Sequence, residues 1–344
     1  WGTNKIIINS NGLNYQGQDD TYTVEYNTDG QSVNIVYSDA TQGWIPLDDD
    51  ASAYEPTDPP TQKGIFGYGE GSMFSLTNII SSSGVVAADV TGVGTARKGL
   101  AAAGYGGDKA LFGYGHSGSY QSVTNLVSNS GVVSTDTSGV GTARVDLAAA
   151  GYGTDKAIFG YGTTGSYTAI SNLVNNSGVV ASDTSGVGTA RTVPAATGYG
   201  TDKAIFGYGK PNGGNTAITN LVSNLGVVAT DTAGVGTIRN GLAAAKYGTD
   251  KALFGYGTPK TAITNLVSNT GVVSADVTGV GTARNNMAAS NYGDDKAIFG
   301  YGLAAPGIVS VTNLVSNTGV VATDVTGVGT ARSSLAAAQF SFSA

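Results

Sequence analysis

The chain has 344 residues, enough for a large core or two domains, with 53 glycines and only 12% charged residues. Its 40% apolar content, with 18 Tyr and 9 Phe, argues against disorder and for packed strands separated by glycine turns. The formal charge of −7 argues against a nucleic-acid partner, which needs a basic surface; the lack of cysteine excludes disulfides and thiolate-bound metals, and no apolar run is long enough for a membrane-spanning helix.

Starting at Trp1 without methionine or a signal-peptide pattern, the chain reads as processed or partial. Residues 1–50 do not repeat and are predicted to form a small β-rich module. Lys5-Ile6-Ile7-Ile8-Asn9 reads as a strand. Residues 21–26 and 32–37 alternate apolar and polar side chains around Asn27-Thr28-Asp29-Gly30, which predicts a hairpin. Trp44-Ile45-Pro46 supplies a short fourth strand. A core this small is marginal, so the module is expected to lean on a neighbour or a second chain. Residues 51–62 contain Pro56, Pro59 and Pro60 and read as a semi-rigid linker.

From residue 63 onward the chain repeats itself. An (Ile/Leu)-Phe-Gly-Tyr-Gly motif occurs six times, with its phenylalanines at 66, 112, 159, 206, 254 and 299. A Thr/Ser-Asn-(Leu/Ile) triplet, a Gly-Val-Val run and a Gly-Val-Gly-Thr-(Ala/Ile)-Arg run keep step with it; the arginines fall at 97, 144, 191, 239, 284 and 332. Each unit holds four strand candidates, exemplified by residues 143–151, 156–161, 170–174 and 178–183. The Leu-Ala-Ala-Ala stretches favour helix by composition, but they are short and lie between turn signals, so they read as inner strands. Four strands in about 46 residues is the size of a propeller blade. The first unit lacks a first strand, and the chain ends on an unmatched one at residues 332–340, so the two ends complete one blade. The expected fold is all-β: a six-bladed β-propeller over residues 63–344, preceded by the small module.

Catalytic chemistry finds little support. His116 is the only histidine and follows the second Phe-Gly-Tyr-Gly in a Ser/Gly loop; glutamates occur only at 25, 55 and 70. The repeated aspartates 89, 136, 183, 231, 276 and 324 lack the alternating ligands of a calcium loop and are expected to cap their own turns. The arginines are expected to bond carbonyls or acidic neighbours between blades. Neither a metal, a cofactor nor a catalytic residue is assigned. The loops joining second to third strands (residues 70–75, 116–122, 163–168, 210–216, 258–261 and 303–310) vary, while the other turns are nearly constant. By alternation they share one face, and Phe74, His116, Tyr120, Tyr167, Lys210, Asn212 and Lys260 on them are the candidate ligand-binding residues.

The order Arg-x-x-Leu-Ala-Ala-Ala, glycine turn, Asp-Lys-Ala-Ile-Phe-Gly-Tyr-Gly, Asn-Leu-Val, Gly-Val-Val resembles a kelch-type repeat over residues 63–340. Here, however, tyrosine splits the paired glycines and the late tryptophan is missing. Residues 32–44 (Ser-Val-Asn-Ile-Val-Tyr-Ser-Asp-Ala-Thr-Gln-Gly-Trp) and the repeats themselves resemble segments of fibre and other virion proteins of marine tailed phages, especially cyanophages. That resemblance implies a structural protein of the extracellular virion, a tail fibre or other host-binding appendage. It leaves a homo-oligomer open. The aromatic loop residues Tyr120 and Tyr167 make a host-surface glycan the expected ligand of the propeller, and the N-terminal module is expected to meet other virion proteins. A purely stabilising capsid or tail decoration and a glycan-active enzyme are the alternatives.

Overall fold

The structure is a computed structural model that describes residues 5–21, 23–26, 33–47 and 62–340. Two compact units, Trp1–Pro60 and Thr61–Ala344, divide the chain. The expected linker lies, except for Gln62, outside the described residues. Every regular element is a β-strand; no helix occurs among the described residues, so none is long and apolar enough to cross a membrane.

In the first unit β1 (Ile6–Ile8) pairs antiparallel with β2 (Val24–Tyr26), and β3 (Ile35–Asp39) pairs with β4 (Gly43–Pro46). The expected hairpin joined the second and third of these segments; instead each pairs with an outer neighbour, and Asn27-Thr28-Asp29-Gly30 lies outside the described residues. Burial explains the choice. Tyr15, Val24 and Tyr26 form a small core against which Ile8, Val33, Ile35 and Trp44 pack, and the Tyr15 and Tyr26 hydroxyls bond to each other inside it.

The second unit consists of six three-stranded antiparallel sheets. Sheet 1 is β22 (Ala336–Phe340), β5 (Lys63–Gly69) and β6 (Phe74–Ile80). Sheet 2 is β7 (Ala101–Tyr105), β8 (Lys109–His116) and β9 (Tyr120–Val127). Sheet 3 is β10 (Ala148–Tyr152), β11 (Lys156–Gly160) and β12 (Ser171–Val174); sheet 4 is β13 (Ala195–Tyr199), β14 (Lys203–Gly207) and β15 (Thr219–Val222). Sheet 5 is β16 (Ala243–Tyr247), β17 (Lys251–Gly255) and β18 (Thr264–Val267); sheet 6 is β19 (Ala288–Tyr292), β20 (Lys296–Gly300) and β21 (Thr312–Val315). Sheet 1 joins the two ends of the unit, with Ala336 opposite Gly67 and Ala338 opposite Ile65.

The alanine-rich stretches are strands because each pairs with a Phe-Gly strand along its whole length, as Ala148 to Tyr152 does with Gly160 to Lys156. They start later than expected. Residues 144–147 carry the arginine and a left-handed residue, Asp146 at φ 56°, so extended backbone begins only at Ala148. The second strand likewise stops before Tyr161, whose φ is +64°. The expected fourth strand at 178–183 is not a strand. It meets β12 at the isolated bridges Val174–Val180 and Ser171–Thr184, with one backbone hydrogen bond between them, from Ala181 N–H to the Leu173 carbonyl at 2.8 Å. Between them the buried Asn172 side chain takes the place of a ladder bond, donating to the Ala181 carbonyl at 3.0 Å.

Six apolar clusters hold the sheets, one between each neighbouring pair, including sheet 6 with sheet 1. In each, a tyrosine of one sheet meets a phenylalanine of the next: Tyr114 against Phe159 at 5.0 Å between ring centroids, and finally Tyr301 against Phe66 at 5.1 Å. The glycine between them is required by that approach. A Cβ on Gly160 would stand 2.7 Å from Phe206 Cζ, and the five equivalent glycines face their phenylalanines in the same way.

The inner strands also contact one another in sequence, β22 to β7, then β10, β13, β16, β19 and back to β22. Just before them runs a cycle of six backbone hydrogen bonds. Asp146 N–H donates to the Gly99 carbonyl, Val193 to Asp146, Gly241 to Val193, Asn286 to Gly241, Ser334 to Asn286, and Gly99 to Ser334, at 2.7–3.1 Å. All six residues have φ between 46° and 59°, a left-handed backbone that turns each N–H toward the preceding repeat. For valine this conformation is costly; the cycle holds it in place.

Candidate functional site

Three repeated motifs converge on one bonded group. Arg97 Nη2 donates to Asn125 Oδ1 at 2.7 Å, and its Nη1 donates to the Thr95 carbonyl at 3.0 Å. Asn125 Nδ2 donates to Asp136 Oδ1 at 2.9 Å, while the Thr95 hydroxyl donates to Asp136 Oδ2 at 2.6 Å. The Arg97 guanidinium lies 4.4 Å from the Tyr68 ring centroid of the preceding sheet, a cation–π contact, and is 0% exposed. Arg144, Arg191, Arg239, Arg284 and Arg332 repeat the arrangement. The arginines thus sit where expected, between sheets and on carbonyls. The aspartates do not cap their own turns; Asp136 holds Thr95, 41 residues away. Burial would raise the Asp136 carboxyl, but hydrogen bonds from Thr95 and Asn125 and the charge of Arg97 outweigh it and hold it below the ordinary range. Among the described residues, no group of three His, Asp or Glu side chains is placed to hold a metal.

The variable loops begin at the end of the inner strands that carries the backbone cycle: Lys98 bridges His116, Thr192 bridges Lys210 and Asn240 bridges Thr258. There the structure places the seven candidate residues. Tyr120 is 39% exposed and stands opposite His116 across the β8–β9 hairpin, their rings edge-on at 5.7 Å. Tyr167 is half-buried and bridges Thr163 in its own loop; no ring contact joins it to Tyr120. Phe74 is half-buried at the start of β6, its ring under Gly71. Lys210 and Asn212 are exposed. Lys260 is also exposed along its stem, but its Nζ donates to the Ala304 carbonyl at 2.7 Å, which ties one variable loop to the next.

A charged group nearby was not anticipated from the sequence. Lys98 pairs with Glu70, and both lie close enough to Asp146 to act on its charge, as does His116. Burial pushes the Asp146 carboxyl up to about 6; Lys98 and His116 pull it down and Glu70 pushes it up. Asp146 is the second residue after the repeat arginine, where other units carry Gly99, Val193, Gly241, Asn286 or Ser334. That departure within a constant motif was the readable signal.

At the other end of the inner strands, where the near-constant turns lie, a cavity of about 410 Å³ opens. Its wall includes the repeated Ala102, Ala149, Ala196, Ala244, Ala289 and Ala337. None of the seven loop candidates lines it. The Asp-Lys pairs border this end, and four of them bond within the pair, as in Lys156 to Asp155 at 3.0 Å. No family model matches the chain, and no curated protein is significantly similar to it.

Proposed function

We propose that residues 62–340 form a six-bladed β-propeller that acts as a rigid binding head, with its ligand taken at the variable-loop end. The observation that carries this reading is the contrast between framework and loops. All six sheets use the same arginine–asparagine–aspartate–threonine group, whereas the loops differ in length and composition and present Tyr120, His116, Lys210 and Asn212. Fixed scaffolds with divergent loops are how recognition is commonly carried. The cycle of inner strands and the pairing of Ala336 with Gly67 support closure of the propeller. Binding rather than catalysis is favoured because the repeated charges are committed to holding sheets together.

A host-surface glycan is the proposed ligand, since exposed aromatic rings stack on sugars at little cost in side-chain ordering. Placement on a phage virion, as a tail fibre or appendage, rests on the sequence resemblance of residues 32–44 and of the repeats. The test is a glycan array and host-cell binding with the Tyr120→Ala/Tyr167→Ala double variant. Loss of binding at unchanged melting temperature is expected. Normal binding by that variant, with binding lost on changing the turn at Thr154 and Asp155, overturns the choice of end. No binding by any soluble form favours a stabilising decoration, and glycan turnover favours an enzyme.

A further inference from the structure

The cavity at the constant-turn end breaks the repeat in one respect. The residue two after the repeated alanine is Gly104, Gly151 and Gly198 in three sheets, but Lys246, Asn291 and Gln339 in the others. All six line the cavity. The long side chains lean over glycines: Gln339 Nε2 lies 2.7 Å from where a Cβ on Gly104 would stand, and Lys246 Cδ lies 4.0 Å from the same place on Gly198. Gly151 stays uncovered, with only two carbonyl oxygens within reach of its missing Cβ. Three steps round the strand cycle from it is Asn291, 8% exposed.

These three polar side chains have no internal partners. No hydrogen bond or ion pair engages Lys246 Nζ or either carboxamide among the described residues. The nearby charges are otherwise occupied: Lys156 pairs with Asp155, Lys203 pairs with Asp202, and Asp250 accepts from Asn269 at 3.0 Å. Asp294, at the mouth, is exposed and screened by solvent. Burial lowers the Lys246 ammonium, and Asp250 and Asp202 oppose that shift. An unpaired ammonium in a polar recess is an anion receptor. Carboxamides and the hydroxyls of Thr154, Thr197, Thr201 and Thr249 around it both donate and accept, which suits a ligand rich in hydroxyls. The volume is that of an ordinary small-molecule site.

We propose that this cavity binds a small organic monoanion, a carboxylate on a hydroxyl-bearing ring of the hexuronic-acid kind. Lys246 pairs with the carboxylate, Asn291 and Gln339 bond the hydroxyls, and the open sector beside Gly151 admits the ring. This site is independent of the variable-loop end.

Titration calorimetry on the full chain with D-glucuronate, and with D-glucose as the uncharged control, tests the proposal. Glucuronate should bind once per chain and at least about tenfold more tightly than glucose, one ion pair's worth of affinity. Lys246→Gln should weaken glucuronate at least about tenfold at unchanged melting temperature, since Gln339 shows that this backbone position accepts glutamine. Lys246→Gly, the residue of three other sheets, is the second variant and should behave the same way. Absence of glucuronate binding, equal affinity for glucose, or undiminished binding by the folded variants overturns it.

Discussion

Asp89 and Thr330 lie 241 positions apart, yet the Asp89 carboxylate accepts both the Thr330 N–H and its hydroxyl, the latter at 2.6 Å. The same bond joins Asp136 to Thr95 across 41 positions. A local staple between one sheet and the connection leading into it therefore becomes, at the last repeat, the bond that ties the C-terminal segment to the first sheet.

Asp89→Ala should lower stability by about 2 kcal/mol, because it strands the Thr330 N–H, takes one of the two acceptors of the Asn78 amide and removes the carboxylate 3.8 Å from the buried Arg332. Deletion of residues 332–344 should cost far more, since β5 loses its partner β22 and gains an open edge. Chemical denaturation checks both. A truncated chain that melts like the whole one would show that closure contributes nothing.

The six repeat aspartates share one acid response. Each has a folded pKa below its ordinary 3.8. Their stabilisation is therefore complete above that value and is lost as pH falls through the lower, folded one. Melting temperature should hold near neutrality and drop steeply below about pH 4. Asp136→Asn should flatten the acid slope; an unchanged slope would remove this staple as its cause.

Asp146 has the opposite sign. Its folded pKa of about 6 lies above its ordinary 3.8, so its contribution to stability is fully present below that ordinary value and is lost as pH rises through about 6. Asp146→Asn should stabilise the protein by about 1 kcal/mol at pH 8, after allowance for solvent, and leave it unchanged at pH 3. Asparagine suits the site, because Asn286 occupies the equivalent place in the backbone cycle at φ 51°. Melting curves at the two pH values decide; equal shifts at both would point to packing instead of charge.

Gly160→Ala should destabilise by about 1–3 kcal/mol, because the new Cβ meets the Phe206 ring at 2.7 Å in a packed interface. Gly307→Ala is the control, since Gly307 likewise lacks a left-handed φ and has nothing within 4 Å of its Cβ position. Should the two cost the same, a general effect of replacing glycine and not the Phe206 contact accounts for the loss.

Much of the second unit was written along the chain. Repetition at 45 to 48 residues, glycine punctuation and unmatched end strands are local patterns, and they determined the class of fold, the number of sheets and the pairing of residues 336–340 with 63–67. What lay beyond local pattern was decided by contacts across long separations. Asn172 displaced the fourth strand because its amide fits between two bridges. Val24 to Tyr26 turned to Ile6 to Ile8 because that pairing buries Tyr26 against Tyr15. Lys246, Asn291 and Gln339 are unremarkable as neighbours in sequence, about 45 residues apart. They become one polar wall only because the inner strands meet in a cycle, and a side chain's environment is set by what the fold brings to it.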